Sequence, residues 1–437
     1  MYPLRPTAVY VLEGVLADRL ATQRLNRMLD ALGIPLGSAT IVTQATIPQV
    51  AAELMSGGTD FAAPQEAAAY QTRSLVFTMQ RLKGEEPDLS ALHARCPEGT
   101  PLSVVKHLCG EIRTAWFRAR EGDLKNNQVC WTAWEFGTQV GCPHGCQYCG
   151  DGKLGKYIVM GMNLEEYVEE VVDPILRQNP WQKCFRIIGW NCEQVAFEPE
   201  YGLFDLATRK CAELGGDRHM IIHTKCADTD WALELPARKH IVAVWSVCGA
   251  NSARIVEPGT PGPVERFEAM RRCQAAGMSV RAKFKPIVPI RGWREDYAEA
   301  VEALLQRVRP DSIGMTVVMW MDAATLKSRI DPDLLDPEYL QIVEEAQEEM
   351  AGVNTGPFPE AVRLQIYRHI IQQVRRFSKD IPLYVSTETP EVWSALRGEL
   401  GQDPRHFLCG CGPVAMPGGK LALSKDFKYT TLMQTDA

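Results

Sequence analysis

The sequence contains no long hydrophobic run. No stretch of the 437-residue chain approaches the roughly 20 apolar residues that span a bilayer, so we expect no membrane partner. The N-terminal apolar run Ala8–Leu12 is interrupted by Glu13 and has no basic leader, unlike a secretory signal. We therefore expect a cytoplasmic protein in a reducing compartment.

Positive charge is also in short supply. The chain carries 47 Lys and Arg against 54 Asp and Glu, a formal net charge of −7. Proteins that bind nucleic acid non-specifically are normally basic, so nucleic acid is the less favoured partner. The balance still allows a local basic pocket.

The histidines do not form a hydrolase pattern. The eight of them include neither H-E-x-x-H nor H-x-E, which removes support for a zinc hydrolase or a zinc deaminase. The chain also has no internal repeat and no low-complexity block. Its apolar content of 46% is that of a globular protein.

Cysteine is abundant, with 14 in the chain, and three of these residues are closely spaced. Cys142, Cys146 and Cys149 form a C-x3-C-x2-C pattern in a loop whose glycines permit tight turns. Three thiolates are one short of closing a zinc or four-iron site, which favours a catalytic centre with an open position. The alternative is a zinc knuckle completed by His144 or by a distant cysteine.

From about residue 128, short apolar runs alternate with helical patterns. This alternation is typical of parallel βα units, which form an open or closed barrel or a doubly wound sheet. The predicted strands are Gln128–Phe136, Cys184–Gly189, His219–His223, Ile241–Val247, Val280–Val288 and Ser312–Trp320.

The chain divides into three predicted regions. Residues 1–125 form an N-terminal α/β region with an insertion, including strands Thr7–Leu12 and Ser74–Met79 and a helical stretch near Val104–Arg120. Residues 126–320 form the barrel. Residues 321–437 form a mostly helical extension with one strand, Pro382–Ser386, and a Cys-Gly-Cys tail.

The cysteine loop after the first barrel strand resembles the radical S-adenosylmethionine (SAM) superfamily. The resemblance implies an α/β fold, a partial (β/α)6 barrel, in which Cys142, Cys146 and Cys149 bind a 4Fe–4S cluster. It also implies that the fourth iron binds SAM, and that a reductant such as flavodoxin or ferredoxin drives SAM cleavage. The 5′-deoxyadenosyl radical then abstracts hydrogen from a substrate.

Segments beyond the loop resemble the spore photoproduct lyase family. The most specific is Arg254–Thr260, which contains Glu-Pro-Gly-Thr. Further matches are Thr7–Leu12, the helix end at Leu32–Pro35, His223–Lys225 and Lys285–Ile287. The family's tyrosine after the third cysteine is Gly150 here, which leaves a radical relay at that position in doubt.

The family resemblance assigns roles to individual side chains. Cys192 is expected to return a hydrogen atom to a late radical, and Tyr148 is the aromatic residue of the cysteine loop. Lys225 is expected near the SAM carboxylate. Ser246 is expected near SAM, and Glu193 to hydrogen-bond its ribose.

One predicted barrel strand is unusually basic. Arg281, Lys283 and Lys285 alternate along it and therefore share one face. They either line a solvated rim and pair with local acids, or they face a lumen that holds a multiply charged anion.

These features favour a small, phosphorylated nucleoside-type substrate in a biosynthetic reaction that rearranges carbon bonds or transfers sulfur. The first alternative is repair of a thymine lesion in DNA, as in the lyase family. The second is a metal-binding module without catalytic activity.

The tail carries a second cysteine pair. Cys409 and Cys411 flank Gly410, so both thiols can face one metal. With Cys248, Cys226 or Cys130 they could form an auxiliary iron–sulfur cluster for sulfur transfer or electron relay. The alternative is a pair of plain tail thiols.

Overall fold

The structure is a computed structural model that describes residues 1–56, 67–118, 127–149, 157–188 and 192–422. None of the helices in these ranges is long and apolar enough to cross a membrane. The strands are β1 Val9–Leu12, β2 Thr40–Val42, β3 Ser74–Thr78, β4 Ala115–Arg118, β5 Ala133–Phe136, β6 Gln139–Val140, β7 Tyr157–Gly161, β8 Cys184–Ile187, β9 His219–Thr224, β10 Ile241–Val247, β11 Ser279–Ile287, β12 Ile313–Val317, β13 Leu383–Val385, β14 Ala415–Met416 and β15 Lys420–Leu421.

The helices alternate with these strands along the chain. They are α1 Glu13–Ala17, α2 Arg19–Leu32, α3 Ile47–Ser56, α4 Ala67–Tyr70, α5 Ser90–His93, α6 Leu102–Leu108, α7 Leu164–Tyr167, α8 Asp173–Gln178, α9 Leu203–Leu214, α10 Trp231–Glu234, α11 Ala250–Val256, α12 Pro263–Ala275, α13 Trp293–Leu305, α14 Ala323–Arg329, α15 Pro337–Glu345, α16 Glu360–Phe377 and α17 Pro390–Leu400.

The N-terminal region forms a small sheet in the order β2-β1-β3-β7-β6, parallel except for β6. The predicted first strand and helix are confirmed as β1 and α2. Asp18 caps α2 by accepting from the Ala21 amide at 2.7 Å, and Gly33 ends it at φ 69°, a conformation that favours glycine. A separate apolar cluster under α3 and α6 covers one face of this sheet.

The larger sheet has the order β13-β12-β11-β10-β9-β8-β5-β4. Its strands are parallel from β5 to β13, and β4 pairs antiparallel with β5. The six predicted barrel strands are all present, and the partial barrel is confirmed. In the part of the chain described, β4 and β13 are its edges.

One edge strand differs from the sequence-based expectation. The helical stretch predicted near Val104–Arg120 is wrong in its second half, because α6 ends at Leu108 and β4 follows at Ala115. Pairing with β5 outweighs helix propensity there. The other edge strand, β13, lies within the predicted strand Pro382–Ser386 and pairs with β12.

Strand β11 divides its side chains between two environments. Val280, Ala282 and Phe284 lie in the main hydrophobic core. Arg281, Lys283 and Lys285 alternate with them and lie on the opposite face of the sheet, where Arg281 contacts the C-terminal segment. We call the region in front of this face the lumen. Arg281 and Lys283 are 1% and 2% exposed, so this part of the basic stripe is not on a solvated outer surface.

The C-terminal segment Cys409–Met416 packs against the lumen face of the sheet, and we call it the tail plug. Arg281 donates to the carbonyls of Gly410 at 2.9 Å, Ala415 at 2.6 Å and Met416 at 3.1 Å. The amide of Cys184 donates to Pro413 O at 2.8 Å. The Arg281 guanidinium is therefore engaged by the chain itself, and the substrate-binding role predicted for Arg281, Lys283 and Lys285 stays a prediction.

Replacing Arg281 with Met should loosen the tail plug. Three buried carbonyls would lose a charged donor, so we expect the free energy of unfolding to fall by about 3 kcal/mol. Urea unfolding measures this loss, and limited proteolysis should cut the tail sooner.

Arg309→Met is the matched control, because its ion pair with Asp380 at 2.7 Å is 75% exposed on the Arg side and should contribute little. Equal unfolding curves for the two variants would contradict the role given to Arg281.

Candidate active site

The cysteine loop follows β6 and is fastened by its backbone to the segment after α11. Gly145 N donates to Pro258 O at 2.9 Å, and Gln147 N donates to Val256 O at 2.9 Å. The Gln147 side-chain amide donates to Ile255 O at 2.9 Å. The two most specific sequence segments, the cysteine loop and Arg254–Thr260, are therefore hydrogen-bonded to each other.

Glycine is required at two positions of the loop. A Cβ on Gly145 would lie 2.2 Å from the Tyr70 ring. Gly141 has φ 88°, and a Cβ there would lie 2.6 Å from Tyr157 O. Close approach by neighbouring groups therefore sets the path of the loop.

A buried carboxylate, Glu257, joins the loop to the barrel. Glu257 Oε1 accepts from Tyr148 Oη at 2.6 Å and lies 3.5 Å from Lys225 Nζ. Glu257 Oε2 accepts from Arg266 Nη2 at 2.6 Å. Burial alone would raise the pKa of Glu257, but Lys225 and Arg266 lower it to about 2. The group is therefore a fixed negative charge between two cations.

The thiols of the loop lie in a dry, cationic setting. Burial raises the pKa values of Cys142 and Cys146, and the cations Arg73 and Lys225 respectively oppose this shift. Arg73 Nη1 also donates to the carbonyl of Cys142. Cations beside buried thiols favour the thiolate form that metal ligation needs.

The cysteine loop supplies three thiols, and thiolates are ligands of both zinc and iron–sulfur clusters. Among the described residues, no three His, Cys, Asp or Glu side chains are arranged to hold one metal ion. Burial lowers the pKa of His144 to about 3, so its imidazole is neutral at pH 7. The assignment of the three thiols to a 4Fe–4S cluster stays a prediction.

The predicted SAM-binding residues lie at the strand ends next to the loop. Lys225 follows β9, and its Nζ lies 5.9 Å from the centroid of the Tyr148 ring. Glu193 Oε1 accepts from Thr224 Oγ1, and Oε2 accepts from the Lys225 amide, both at 2.8 Å. Burial raises the pKa of Glu193. Ser246 is the second-last residue of β10, and its Oγ lies 3.4 Å from His223 Nε2.

Cys192 lies half-buried after β8. Burial raises the pKa of Tyr201, and a thiolate at Cys192 would add to that shift; the Tyr201 hydroxyl donates to Gly161 O at 2.6 Å. The three preceding positions, 189–191, and Gly150 of the cysteine loop lie outside the described residues. The role of Cys192 as a hydrogen donor stays a prediction.

The lumen contains two lysines with aromatic neighbours. Lys283 Nζ lies 6.0 Å from the Tyr384 ring centroid, and Lys285 Nζ lies 4.7 Å from that of Trp320. Neither lysine has a carboxylate ion pair within the described ranges. Burial, and then Lys283, lowers the pKa of Lys285 well below its usual value. An anion bound beside the two lysines would oppose this shift and favour their ammonium forms.

Sequence reasoning missed Arg266, Arg73, Tyr384 and Trp320. No local pattern marks them. Arg73, Tyr384 and Trp320 lie far along the chain from the groups that they contact. Arg266 is 9 residues from Glu257, and no known motif joins the two. In the structure, two features single out Trp320. Its side chain is 50% exposed, and its backbone φ of 65° is strained for a bulky residue, as is often found at functional sites.

The tail thiols lie in the same lumen. Of the three partners proposed for them, Cys130 is near enough to raise the pKa of Cys409. Cys248 instead donates to Glu257 at 3.5 Å, and Cys226 lies near Glu193. No metal-holding group forms around the pair among the described residues.

Comparison with solved structures gives spore photoproduct lyase as a structural neighbour. Its complex with dinucleoside spore photoproduct aligns with a TM-score of 0.58, 16% identity, and coverage of 88% of this chain and 98% of the lyase. A variant of that lyase with bound AdoMet and dinucleoside spore photoproduct aligns equally, with a TM-score of 0.58. The predicted fold and its likeness to this lyase are confirmed.

Sequence comparison adds one relative. An uncharacterized protein, ORF301 of Acidianus two-tailed virus, is 21% identical over 194 residues. The match covers 40% of this chain and 62% of the viral protein, so the chain spans less than two thirds of that relative. No protein-family model matches the chain.

Replacing Glu257 with Gln should destabilise the protein in a pH-dependent way. Because the pKa of Glu257 is depressed from 4.5 to about 2 on folding, its carboxylate contributes about 3 kcal/mol above pH 4.5. That contribution is lost as the pH falls towards 2. Urea unfolding of both proteins should therefore differ by about 3 kcal/mol at pH 7 and by less at pH 3.

Glu268→Gln provides the control, because its pair with Arg271 is exposed and should contribute under about 1 kcal/mol. A difference between Glu257→Gln and the wild type that stayed constant with pH would rule out the charge as its cause.

Proposed function

We propose that this chain is a radical SAM enzyme. Cys142, Cys146 and Cys149 would hold three irons of a 4Fe–4S cluster in the dry loop beside Arg73 and Lys225. When bound, the cluster and SAM supply a 5′-deoxyadenosyl radical that abstracts hydrogen from the substrate. The observation that carries the proposal is the C-x3-C-x2-C loop, fastened to the Glu-Pro-Gly-Thr segment at the strand ends of a lyase-like fold.

The residues around the loop have matching tasks in this proposal. The ammonium group of Lys225 is held between Glu257 and the Tyr148 ring, where it would face the SAM carboxylate. Glu193 fixes the Lys225 backbone and would reach the ribose. Ser246 would bind SAM from the next strand. The sheet and the tail plug would exclude water from the radical.

The lumen supports a small anionic substrate. Lys283 and Lys285 face it and form no carboxylate ion pair in the described ranges, so a phosphate would complete their charge balance. Trp320 offers an aromatic face at the lumen mouth on which a nucleobase can stack. The tail plug occupies part of the lumen and limits its depth. These features favour a phosphorylated nucleoside over a long duplex.

Repair of a thymine lesion in DNA is the second candidate. The observation that favours it is the alignment with 98% of spore photoproduct lyase, including its dinucleoside complex. The net charge of −7 weighs against a duplex substrate. Both candidates use Cys192 as the hydrogen donor to a late radical.

Cys142→Ala should abolish SAM cleavage, because the cluster loses one of its three protein ligands. Anaerobically reconstituted wild type should contain about four irons and release 5′-deoxyadenosine when reduced with dithionite or flavodoxin. Iron analysis and chromatography of the nucleoside measure both effects. Cys96→Ala, a half-buried thiol outside the loop, is the control and should keep iron and product.

The enzyme proposal fails if wild type yields no 5′-deoxyadenosine and Cys142→Ala keeps every property of wild type. The alternative would then be a metal-binding module without catalytic activity.

Lys285→Met should weaken binding of a phosphorylated nucleoside by about tenfold or more, since a charge-assisted hydrogen bond is worth about 1.5–3 kcal/mol. Calorimetry against nucleoside, nucleotide and lesion-bearing duplex measures the preference. Lys327→Met is the control, because that lysine pairs with Glu344 on the surface. Salt-sensitive binding to the duplex, with 5′-deoxyadenosine yield following lesion content, would instead establish repair.

A further inference from the structure

The tail plug places two thiols beside the lumen in a geometry that suits a redox pair. Cys409 O accepts from Gly412 N at 3.3 Å, so residues 409–412 form a β-turn. A turn of this kind keeps the Cα atoms of its first and third residues within roughly the 4.4–6.8 Å that a disulfide spans. No disulfide joins Cys409 and Cys411 in this structure.

Packing fixes the turn at Gly410. Its amide donates to Tyr384 Oη at 2.7 Å, and a Cβ there would lie 2.6 Å from the same oxygen. Arg281 holds its carbonyl. Glycine is therefore required between the two cysteines, and the sheet holds both thiols in place.

The surroundings of Cys411 are cationic. Arg186 lies 2.5 Å and Arg118 lies 3.4 Å from Glu135 Oε1, so two guanidinium groups share one carboxylate. Lys283 adds a third cation with no carboxylate partner among the described residues. A thiolate at Cys411 would offset part of this excess. Cys411 packs against residues of one sheet face, Cys184, Ile221 and Val244, and the register places Arg186 and Lys283 on that same face. Cations beside a thiol favour its thiolate form.

The two sulfurs also differ in access. Cys409 is buried, whereas Cys411 is partly exposed and packs against Cys184, Ile221 and Val244 of the lumen face. Cys411 is thus both the accessible thiol and the one beside the cations, which suits the attacking cysteine of a redox pair. Cys409, the buried neighbour, suits the resolving cysteine.

We propose that Cys409 and Cys411 form a redox-active dithiol that closes reversibly to an intramolecular disulfide in the lumen. The Cys411 thiolate attacks an external disulfide, forms a mixed disulfide and releases one thiolate. The Cys409 thiol then loses its proton and attacks the Cys411 sulfur, which releases the second thiolate. Two electrons pass to the external disulfide. This chemistry does not depend on the proposed radical reaction.

Cys130 is a third thiol nearby but takes no part in the disulfide. Its sulfur accepts from Arg118 Nη1 at 2.5 Å, which holds it beside β4. A disulfide between Cys409 and Cys130 is therefore the competing outcome, and a metal bound by all three thiols is another.

The test uses anaerobically reconstituted holoprotein. A short pulse of iodoacetamide at neutral pH, followed by denaturation and peptide mass spectrometry, should label Cys411 before Cys96. Cys96 is the matched control, because it is also partly exposed and burial raises its pKa. Lys283→Met should slow labelling of Cys411 several-fold while leaving Cys96 unchanged.

Oxidised glutathione then tests the disulfide. The wild-type peptide with Cys409 and Cys411 should lose the mass of two hydrogens, and so should that of Cys130→Ala. Cys409→Ala should stop at a glutathione adduct on Cys411, and Cys411→Ala should form neither product. If a cysteine variant does not fold, the rate at which Cys411 is labelled in Lys283→Met still tests whether the cations activate this thiol.

Three results would overturn the proposal. These are labelling of Cys411 no faster than that of Cys96, a disulfide that requires Cys130, or bound zinc or extra iron that disappears in Cys409→Ala and Cys411→Ala. The last result would identify a metal site. None of these results bears on SAM cleavage, which Cys142→Ala tests separately.

Discussion

The carboxylate of Glu257 is the group on which the candidate active site depends. It lies buried between Arg266 and Lys225 and also accepts a hydrogen bond from Tyr148 of the cysteine loop. A buried charge is costly unless it is paired, and here one carboxylate pairs with two cations from different elements. The loop can keep its three thiols near the strand ends because this network and the backbone bonds to Val256 and Pro258 hold it there.

A second constraint organises the opposite part of the lumen. Arg281 is fully buried and satisfies three carbonyls of the tail plug, so a strand and a segment 130 residues away stabilise each other. The tail in turn positions Cys411 beside the cations of neighbouring strands. The predicted cofactor site lies at the strand ends, and the thiol pair lies on the tail plug. Lys283 and Lys285 lie on the same sheet face that the plug contacts.

Much of this arrangement could be predicted from local signals. The spacing of Cys142, Cys146 and Cys149 and the alternation of strands and helices predicted the loop and the sheet that carries it. The period of two along β11 placed Arg281, Lys283 and Lys285 on one face. Each of these signals is local, because it depends on neighbours within a few residues or on a regular period.

The contacts that give those residues their tasks could not be predicted in this way. The sequence placed Arg281 with Lys283 and Lys285, and nothing local shows that the tail would take up its guanidinium. β4 was expected as helix, since only its pairing with β5 makes it a strand. The amino-acid sequence by itself determined the kinds of chemistry present, namely a three-thiolate loop, a basic strand and a Cys-Gly-Cys tail. Only the tertiary structure decided which of these groups meet, because burial and charge pairing depend on segments far apart in the chain.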